Sequence, residues 1–532
     1  MERLLDDGNG GGPMKADDEG RRQPTVPTSG ERSDLRHATR GRGPESEHDE
    51  AEREGVSEEA AASREAPAAA QTTDRGERRT DDALLVDPDD KKAVRQSIFR
   101  LAGPSLVEMM LANFTQMLNM IMVGRLSPEA VATVGLTNQP FFLFLAIFST
   151  LNVGTTVIVA RSIGAGRLDE ADRAAGQAFL LNIMLSVLMI AFSYSFAADL
   201  LRLMGGSEEV VAHGLSYAKF IFLSIGFTTI SMSFSATLRG SGDTRTPMKI
   251  NVVANVLVVV IGFPLIYGIG GYSGMGITGA GVATFVAQLV SMTWVTTVMF
   301  SGKFKVRLSL RNLFRFDRAM IARIGKIGFP SALEQIVMRL GMLIFIKVAA
   351  SLGTMAVAAT QITFTILGLS FMPGMAFAIA ASTLVGQALG AQKPDLAEKY
   401  GWQVRKIGAY VAGLIGVGFI IFAPQIMKLF TIEPEIIEKG ALSIRIMGCI
   451  QVSQATQFIL SGALRGAGDT RYPLYSTFIG VWGFRVVLSL LFVYGFKMDL
   501  YGIWLAAAAD QFVRSFLILS RFKKGAWKTL RV

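Results

Sequence analysis

The chain has 532 residues, half of them hydrophobic, and a mean hydropathy of +0.39, which exclude an ordinary soluble protein of this size. Its formal net charge of +10 is the sum of an acidic and a basic region. Residues 1–94 hold 24 acidic and 15 basic side chains, whereas residues 95–532 hold 19 acidic and 38 basic. A single cysteine, Cys449, and three histidines exclude a disulfide framework and a thiolate metal site.

The first part of the chain, residues 1–94, is predicted to be a disordered cytoplasmic tail. It is rich in Gly, Ala, Ser, Glu and Arg and poor in aromatic residues, so it cannot bury enough apolar surface to order itself. No apolar run follows its first charges, so it is not a signal peptide. We expect the tail to be dispensable, so that a chain starting near Asp90 inserts and functions normally.

Twelve apolar segments follow, each long enough to cross a hydrocarbon core that needs about 20 helical residues. Since backbone groups in lipid must pair within their own segment, these runs predict helices. The predicted helices cover residues 95–122, 131–161, 172–201, 211–237, 247–268, 277–301, 319–348, 355–388, 397–424, 437–463, 473–495 and 501–522. They define an N-lobe at 95–301, a basic cytoplasmic linker at 302–318 and a C-lobe at 319–532.

Lysine and arginine concentrate in alternate loops. The connections after helices 2, 4, 6, 8 and 10 and the C-terminal "RFKKGAWKTLRV" are basic, whereas "GSEEVVAHG" and "GIGGYSGMG" are poor in both residues. The positive-inside rule places the basic loops and both termini in the cytoplasm. The excess charge therefore indicates a multi-pass plasma-membrane protein rather than a nucleic-acid-binding protein.

One phrase occurs twice in the chain. "LRGSGDTRTP" from Leu238 and "LRGAGDTRYP" from Leu464 lie 226 positions apart, and the same offset relates "GPSLVE" at Gly103 to "FPSALE" at Phe329. A constant offset indicates a duplicated unit of six helices, and because six is even, both halves have the same orientation in the membrane. We expect the doubled phrase to be a tight turn, held by its Asp and two Arg, rather than a substrate contact.

These motifs resemble the multidrug and toxic compound extrusion (MATE) family. The resemblance covers about residues 95–525 and includes "LRG.GDT" after helices 4 and 10, "P.LVE" and "P.ALE" in helices 1 and 7, and "VARSIGAG" and "VGQALGAQ" after helices 2 and 8. It implies an all-α membrane fold of two six-helix lobes in a V shape around a cavity. It also implies export of organic cations and other amphiphiles in exchange for H⁺ or Na⁺, with no other cofactor.

Two glutamates lie near the middle of predicted helices 1 and 7. Glu108 and Glu334 each follow a proline by four residues, and each proline removes a backbone hydrogen bond from its helix. A charge at mid-bilayer costs about 2.5–3.5 kcal/mol on insertion scales, so its presence points to a function. Both are candidates for ion coupling, and permanent pairing with an arginine or an amide is the open alternative.

The acidic positions common in the family differ in this chain. Asn119 occupies the acidic position of helix 1, and Met338 or its neighbour Arg339 occupies that of helix 7. Gln454 occupies that of helix 10, and Val259 occupies that of helix 5. Amides can coordinate Na⁺ or hydrogen-bond a ligand but cannot carry a proton. Glu108 and Glu334 therefore remain as the coupling candidates.

Other polar residues of the predicted helices form two groups. The candidates for a polar cavity lining are Gln116, Asn119, Asn138, Gln139, Asn255, Gln454 and Gln457, and helix packing explains each of them equally well. The charged residues Arg339, Arg485, Asp510 and Arg514 are expected to form a structural ion network that locks helices 7, 11 and 12.

Three functions compete at this level. The first is an ion-coupled multidrug exporter, expected to be a monomer, that acts on small-molecule substrates by alternating access. The second is a flippase or exporter for a specific lipid-linked or metabolite substrate, which a large basic cavity would favour. The third is a membrane receptor or scaffold, against which the duplication argues because a scaffold does not need it. No nucleophile–base or metal constellation is visible, so no enzyme is predicted.

Overall fold

A computed structural model describes residues 84–271, 273–302, 304–308 and 316–530 of the chain. The predicted tail up to residue 83 and, within the predicted linker, residues 303 and 309–315 lie outside these residues. Twelve long helical segments follow one another in the described part, in the predicted order, and a short helix, Ala197–Leu203, lies between the third and the fourth. They are α1 Lys91–Gly124, α2 Pro128–Gly164, α3 Leu168–Ser195, α4 Glu208–Gly240, α5 Arg245–Tyr267, α6 Ile277–Phe300, α7 Arg318–Ser351, α8 Thr354–Gly390, α9 Pro394–Lys428, α10 in two parts Pro434–Cys449 and Gln451–Gly466, α11 Arg471–Gly495 and α12 Leu500–Lys524.

Aspartate side chains set the start of the first helix of each lobe. Asp90 accepts hydrogen bonds from the backbone of Lys92 and Ala93 before α1, and Asp317 accepts one from the backbone of Met320 before α7. These acceptors satisfy amide groups that have no partner within the first helical turn. Both lobes therefore begin with the same local device.

Ten of the described helices are long and apolar enough to cross a membrane. The remaining two are α7, whose first half carries Arg323, Lys326 and Glu334, and α10, which is interrupted at Ile450. The twelve-helix prediction is confirmed, with boundaries that differ by a few residues.

The helices form two six-helix lobes. In the first lobe α4 packs against α2, α3 and α6, while α5 packs against α1 and α6. In the second lobe α10 packs against α8, α9 and α12, while α11 packs against α12. The lobes meet where α2 contacts α7 and α8 and where α1 contacts α8. We call the end of the bundle at which α2, α4, α8 and α10 finish the basic end, after the loops found there.

The folded chain begins earlier than predicted. Leu84 is 5% exposed, and its carbonyl oxygen accepts a hydrogen bond from the hydroxyl of Tyr400 at 2.6 Å. Nζ of Lys399 lies 2.5 Å from Oδ1 of Asp89 and lowers the pKa of that carboxyl. Residues 84–94, assigned to the tail from the sequence, therefore belong to the folded part. We call residues 84–90, which reach from α1 to the second lobe, the strap.

Candidate functional site

A buried ion pair joins α1 to α4 in the first lobe. Oε1 of Glu108 accepts hydrogen bonds from Nη2 of Arg239 at 2.5 Å and from Nδ2 of Asn251 at 2.7 Å. The glutamate is 8% exposed, and the asparagine extends the contact to α5. Arg239 is the first arginine of "LRGSGDT", so the doubled phrase is tied to the helix that carries Pro104.

The second lobe contains the equivalent pair. Oε2 of Glu334 accepts a hydrogen bond from Nη2 of Arg465 at 2.7 Å, and its Oε1 accepts one from the hydroxyl of Thr477 at 3.1 Å. Each of these residues lies 226 positions after its counterpart, although a threonine replaces Asn251. The duplication has therefore preserved a complete ion pair, and the doubled phrase does more than form a turn.

The predicted pairing within the doubled phrase is wrong. Oδ1 of Asp243 accepts hydrogen bonds from backbone groups two and three residues ahead, and Asp469 pairs with Nε of Arg521 at 2.8 Å. Both aspartates are thus engaged elsewhere, and Arg239 and Arg465 reach the glutamates instead. Sequence reasoning missed these two arginines; the available signal was the offset of 226 that they share with the glutamates.

Both ion pairs face one cavity between the lobes. Its volume is about 690 Å³, within the range of small-molecule sites. Apolar residues on its wall include Met109, Met232, Met338, Met375 and Phe458. Methionine side chains are flexible and polarisable, so this wall can adapt to ligands of different shape.

The predicted amide lining is present only in part. Asn255 and Gln457 line the cavity, and Oε1 of Gln457 is buried with no hydrogen-bond partner among the described residues. The other five predicted amides are outside the lining: Gln116, Asn119, Asn138, Gln139 and Gln454. Asn119 and Gln454, at two positions where the family resemblance led us to expect an acidic residue, are therefore not part of the cavity wall.

Asp510 anchors an ion cluster behind the cavity. Its carboxylate lies 2.6 Å from Nη2 of Arg485 and 2.7 Å from Nε of Arg514, which also lines the cavity. A Cβ atom added at Gly480 would lie 2.3 Å from Oδ1 of Asp510, so this π-helical stretch of α11 needs a glycine there. Arg339 was predicted to join this cluster. It instead has an exposed side chain and makes no ion pair with a described residue.

The lobes are in direct backbone contact at the basic end. A Cβ atom added at Gly164, the last residue of α2, would lie 2.0 Å from the carbonyl oxygen of Gln387. One added at Gly390, the last residue of α8, would lie 2.1 Å from the carbonyl oxygen of Arg161. The offset of 226 relates both the glycines and their contacts, so the two helix ends cross on the pseudo-twofold axis. This crossing closes the space between the lobes at the basic end.

Arg161 and Gln387 also fasten each lobe to the doubled phrase of the other. Nη2 of Arg161 donates to the carbonyl oxygen of Ala467 at 2.8 Å, and its Nη1 donates to that of Leu530 at 2.9 Å. Nε2 of Gln387 donates to the carbonyl oxygen of Gly240 at 2.9 Å. In each doubled phrase, an arginine side chain therefore lines the cavity, and a backbone carbonyl oxygen accepts a hydrogen bond from the opposite lobe.

Comparisons with known proteins agree with this architecture. Residues 104–264 and 330–491 match the profile of the MatE family. The probable multidrug resistance protein NorM of Thermotoga maritima is 32% identical over 441 residues, which cover 82% of this chain and 93% of that protein.

Two solved structures show the same fold. A multidrug resistance MATE family transporter in an outward-facing conformation is 25% identical, with a TM-score of 0.77 and coverage of 84% of this chain and 98% of that one. A transporter from Pyrococcus furiosus, described with a binding pocket of reverse polarity, is also 25% identical. Its TM-score is 0.78, with coverage of 84% of this chain and 98% of that one.

Proposed function

Because this chain belongs to the MATE family of multidrug extrusion transporters, we propose that it exports small-molecule substrates in exchange for H⁺ or Na⁺. The observation that carries the proposal is a cavity of about 690 Å³ between two homologous lobes that are closed together at one end. Two repeats that move around a central site are a common basis of alternating access. The relatives are transporters, which argues against the receptor or scaffold alternative.

We assign the basic end to the cytoplasmic side of the plasma membrane. The positive-inside rule favours this orientation because lysine and arginine concentrate in the loops at that end. Both termini then lie in the cytoplasm, since α1 begins and α12 finishes there. With the cytoplasmic side closed, the described conformation corresponds to the outward-facing state, from which substrate leaves. One chain supplies both lobes and the cavity, so we expect a monomer.

Ion coupling is assigned to Glu108 and Glu334. Each carboxylate is buried, holds an arginine and lies one helical turn after a proline. Protonation would remove the negative charge that binds the guanidinium, and a Na⁺ ion at the carboxylate would compete with it. The helix that carries the glutamate would then be free to bend at Pro104 or Pro330, where a backbone hydrogen bond is missing.

Uphill transport in proteoliposomes tests this proposal, with a pH gradient or a Na⁺ gradient imposed separately. We expect one gradient to drive accumulation by the unmodified protein. Glu108→Gln and Glu334→Gln keep the shape and hydrogen bonding of the side chain but remove its charge. These variants should still bind substrate yet lose accumulation against a gradient. Glu209→Gln, an exposed substitution on α4, is the matched control and should transport normally.

The proposal for the glutamates is wrong if both single variants and the double variant transport uphill at the unmodified rate. Coupling would then have to be sought at Asp510 and among the amides Asn119 and Asn255. Absence of uphill transport under either gradient by the unmodified protein would contradict the exchange mechanism itself.

A second candidate function is export or flipping of one metabolite or lipid-linked substrate class. The observation that favours it is the arginine content of the cavity wall, which carries Arg239, Arg465 and Arg514. Substrate breadth separates the two candidates. A multidrug exporter moves chemically unrelated compounds, whereas a specific exporter moves one class and ignores the others.

A further inference from the structure

We propose that the cavity selects amphiphiles that carry an anionic oxygen group, such as a carboxylate, sulfonate or phosphate, rather than organic cations. The inference deepens the proposed function and rests on it. It follows from the charges on the cavity wall, from which of those charges are accessible, and from the hydrogen-bond donors that they leave unused.

Guanidinium groups outnumber carboxylates on the cavity wall. The charged residues of the described lining are Glu108, Glu334, Arg239, Arg465 and Arg514. Two of the arginines are neutralised by the two glutamates, so the third decides the net charge of the wall. A like charge is strongly repelled at low dielectric, and an opposite charge is attracted.

The charge of the third arginine, Arg514, is only partly compensated because it shares its carboxylate partner with another arginine. Asp510 is the carboxylate nearest to Arg514, and it also binds Arg485 at 2.6 Å. One carboxylate therefore serves two guanidinium groups, and the cluster carries an excess of one positive charge. The equivalent of Arg514 in the first lobe is Gln288, which also lines the cavity, so the extra charge belongs to the second lobe.

The arginines, not the glutamates, are the accessible members of the ion pairs. The side chain of Arg239 is 25% exposed, against 10% for that of Glu108. In the second lobe the values are 25% for Arg465 and 8% for Glu334. On the wall of each lobe, a ligand in the cavity therefore contacts the guanidinium group more readily than the glutamate that is paired with it.

Each of these two guanidinium groups has N–H donors that no described residue of the chain accepts from. Arg239 and Arg465 use Nη2 for their glutamates, and Nε of each is buried without a hydrogen-bond partner among the described residues. Nη1 of each likewise has no acceptor in the described part of the chain. Unsatisfied donors are unfavourable, and the planar donor fork of arginine fits carboxylate, sulfonate and phosphate oxygens. The methionine-rich wall would receive the apolar part of such a ligand.

Two dyes with the same xanthene skeleton test this inference: fluorescein, which is anionic, and rhodamine 123, which is cationic. Equilibrium binding is measured with the purified full-length protein in nanodiscs of phosphatidylcholine, which has no net charge. We expect fluorescein to bind at least about tenfold more tightly than rhodamine 123. Addition of phosphatidylglycerol, an anionic lipid, to the nanodiscs then distinguishes two sources of the natural anion, and either result is compatible with an anion-binding site. Displacement of fluorescein indicates a lipid headgroup, and unchanged binding indicates a soluble ligand.

Substitutions connect the preference to the named arginines. Arg239→Gln and Arg465→Gln should each weaken fluorescein binding about tenfold without weakening rhodamine 123 binding. Arg245→Gln and Arg471→Gln remove the second arginine of each doubled phrase, which is exposed and outside the cavity lining, and should change neither affinity. Since a single substitution leaves a glutamate unpaired, Glu108→Gln combined with Arg239→Gln is a second measurement and should also weaken fluorescein binding.

Three results would overturn the inference: equal or tighter binding of rhodamine 123, no binding of fluorescein, or fluorescein binding that the substitutions at Arg239 and Arg465 leave unchanged. The transport proposal is judged separately, by uphill movement of either dye under an ion gradient. A chain that accumulates rhodamine 123 but not fluorescein would be an exporter with the opposite charge preference. A chain that binds fluorescein but moves neither dye would refute transport alone.

Discussion

At the scale of single residues, the two glutamates are both buried in ion pairs and part of the cavity wall. The sequence left open whether Glu108 and Glu334 couple ions or are permanently paired with an arginine. The structure shows an arginine at each carboxylate, and it shows the same pairs on the cavity wall. Removing one member of a buried pair costs about 3–5 kcal/mol because the other charge stays buried, whereas removing both can be nearly neutral. A buried pair is therefore a place where a change in protonation has a large structural effect.

Also at this scale, we predict that Gly164→Ala disturbs the closed basic end. The added Cβ would lie 2.0 Å from the carbonyl oxygen of Gln387, so one backbone must move, and such overpacking costs about 1–3 kcal/mol. The midpoint of thermal unfolding of the purified protein should fall. Gly135→Ala on the same helix has no atom within 4 Å and should not lower it. Equal midpoints for the two variants would contradict the close approach.

At the scale of elements, the helices could be predicted and their irregularities could not. Apolar length and loop charge were enough to identify all twelve helices and their order. The break of α10 at Ile450 and the π-helical stretch of α11 around Gly480 depend on packing between helices, which a hydropathy pattern does not contain. The partners of Glu108 and Glu334 were missed for a related reason. Arg239 and Arg465 each lie close in sequence to an aspartate, which suggested a local ion pair. In the structure each arginine instead pairs with a glutamate of another helix.

The strap provides a prediction at the element scale. A variant that begins at Asp90 loses the buried side chain of Leu84 and the hydrogen bond from Tyr400. Burial of one leucine contributes about 1.5–3 kcal/mol and one hydrogen bond about 1 kcal/mol, so this variant should unfold at lower temperature. A variant that begins at Arg78 keeps the strap and should match the full chain in stability and transport.

This prediction revises the expectation that the whole tail, residues 1–94, is dispensable. Only the part before the strap is now expected to be dispensable. If the variants that begin at Arg78 and Asp90 have the same thermal midpoint and transport rate, the strap contributes nothing and a chain that begins at Asp90 is sufficient.

At the scale of the whole molecule, the duplication explains both the likeness and the difference between the lobes. Equivalent residues form the two ion pairs and the two crossing helix ends, as the offset of 226 requires. Substitutions at equivalent positions then give each lobe its own chemistry. Arg161 in one lobe corresponds to Gln387 in the other, and Gln288 corresponds to Arg514. The seal at the basic end and the charge of the cavity are therefore asymmetric, although the backbone arrangement is shared.

Under the proposed alternating-access mechanism, the lobes that are now joined at the basic end must separate there during transport. Disulfide cross-linking of Ala160→Cys with Gly386→Cys in a Cys449→Ser background tests it most directly. A Cβ atom on Gly386 would lie 3.0 Å from that of Ala160, so a shift of about 0.5 Å brings the two Cβ atoms into the range of about 3.5–4.5 Å found in disulfides. We predict that the oxidised double variant still binds substrate from the open side but stops transporting, that reduction restores transport, and that neither single variant responds to oxidant. Transport by the fully cross-linked protein at the rate of its reduced form would contradict the account.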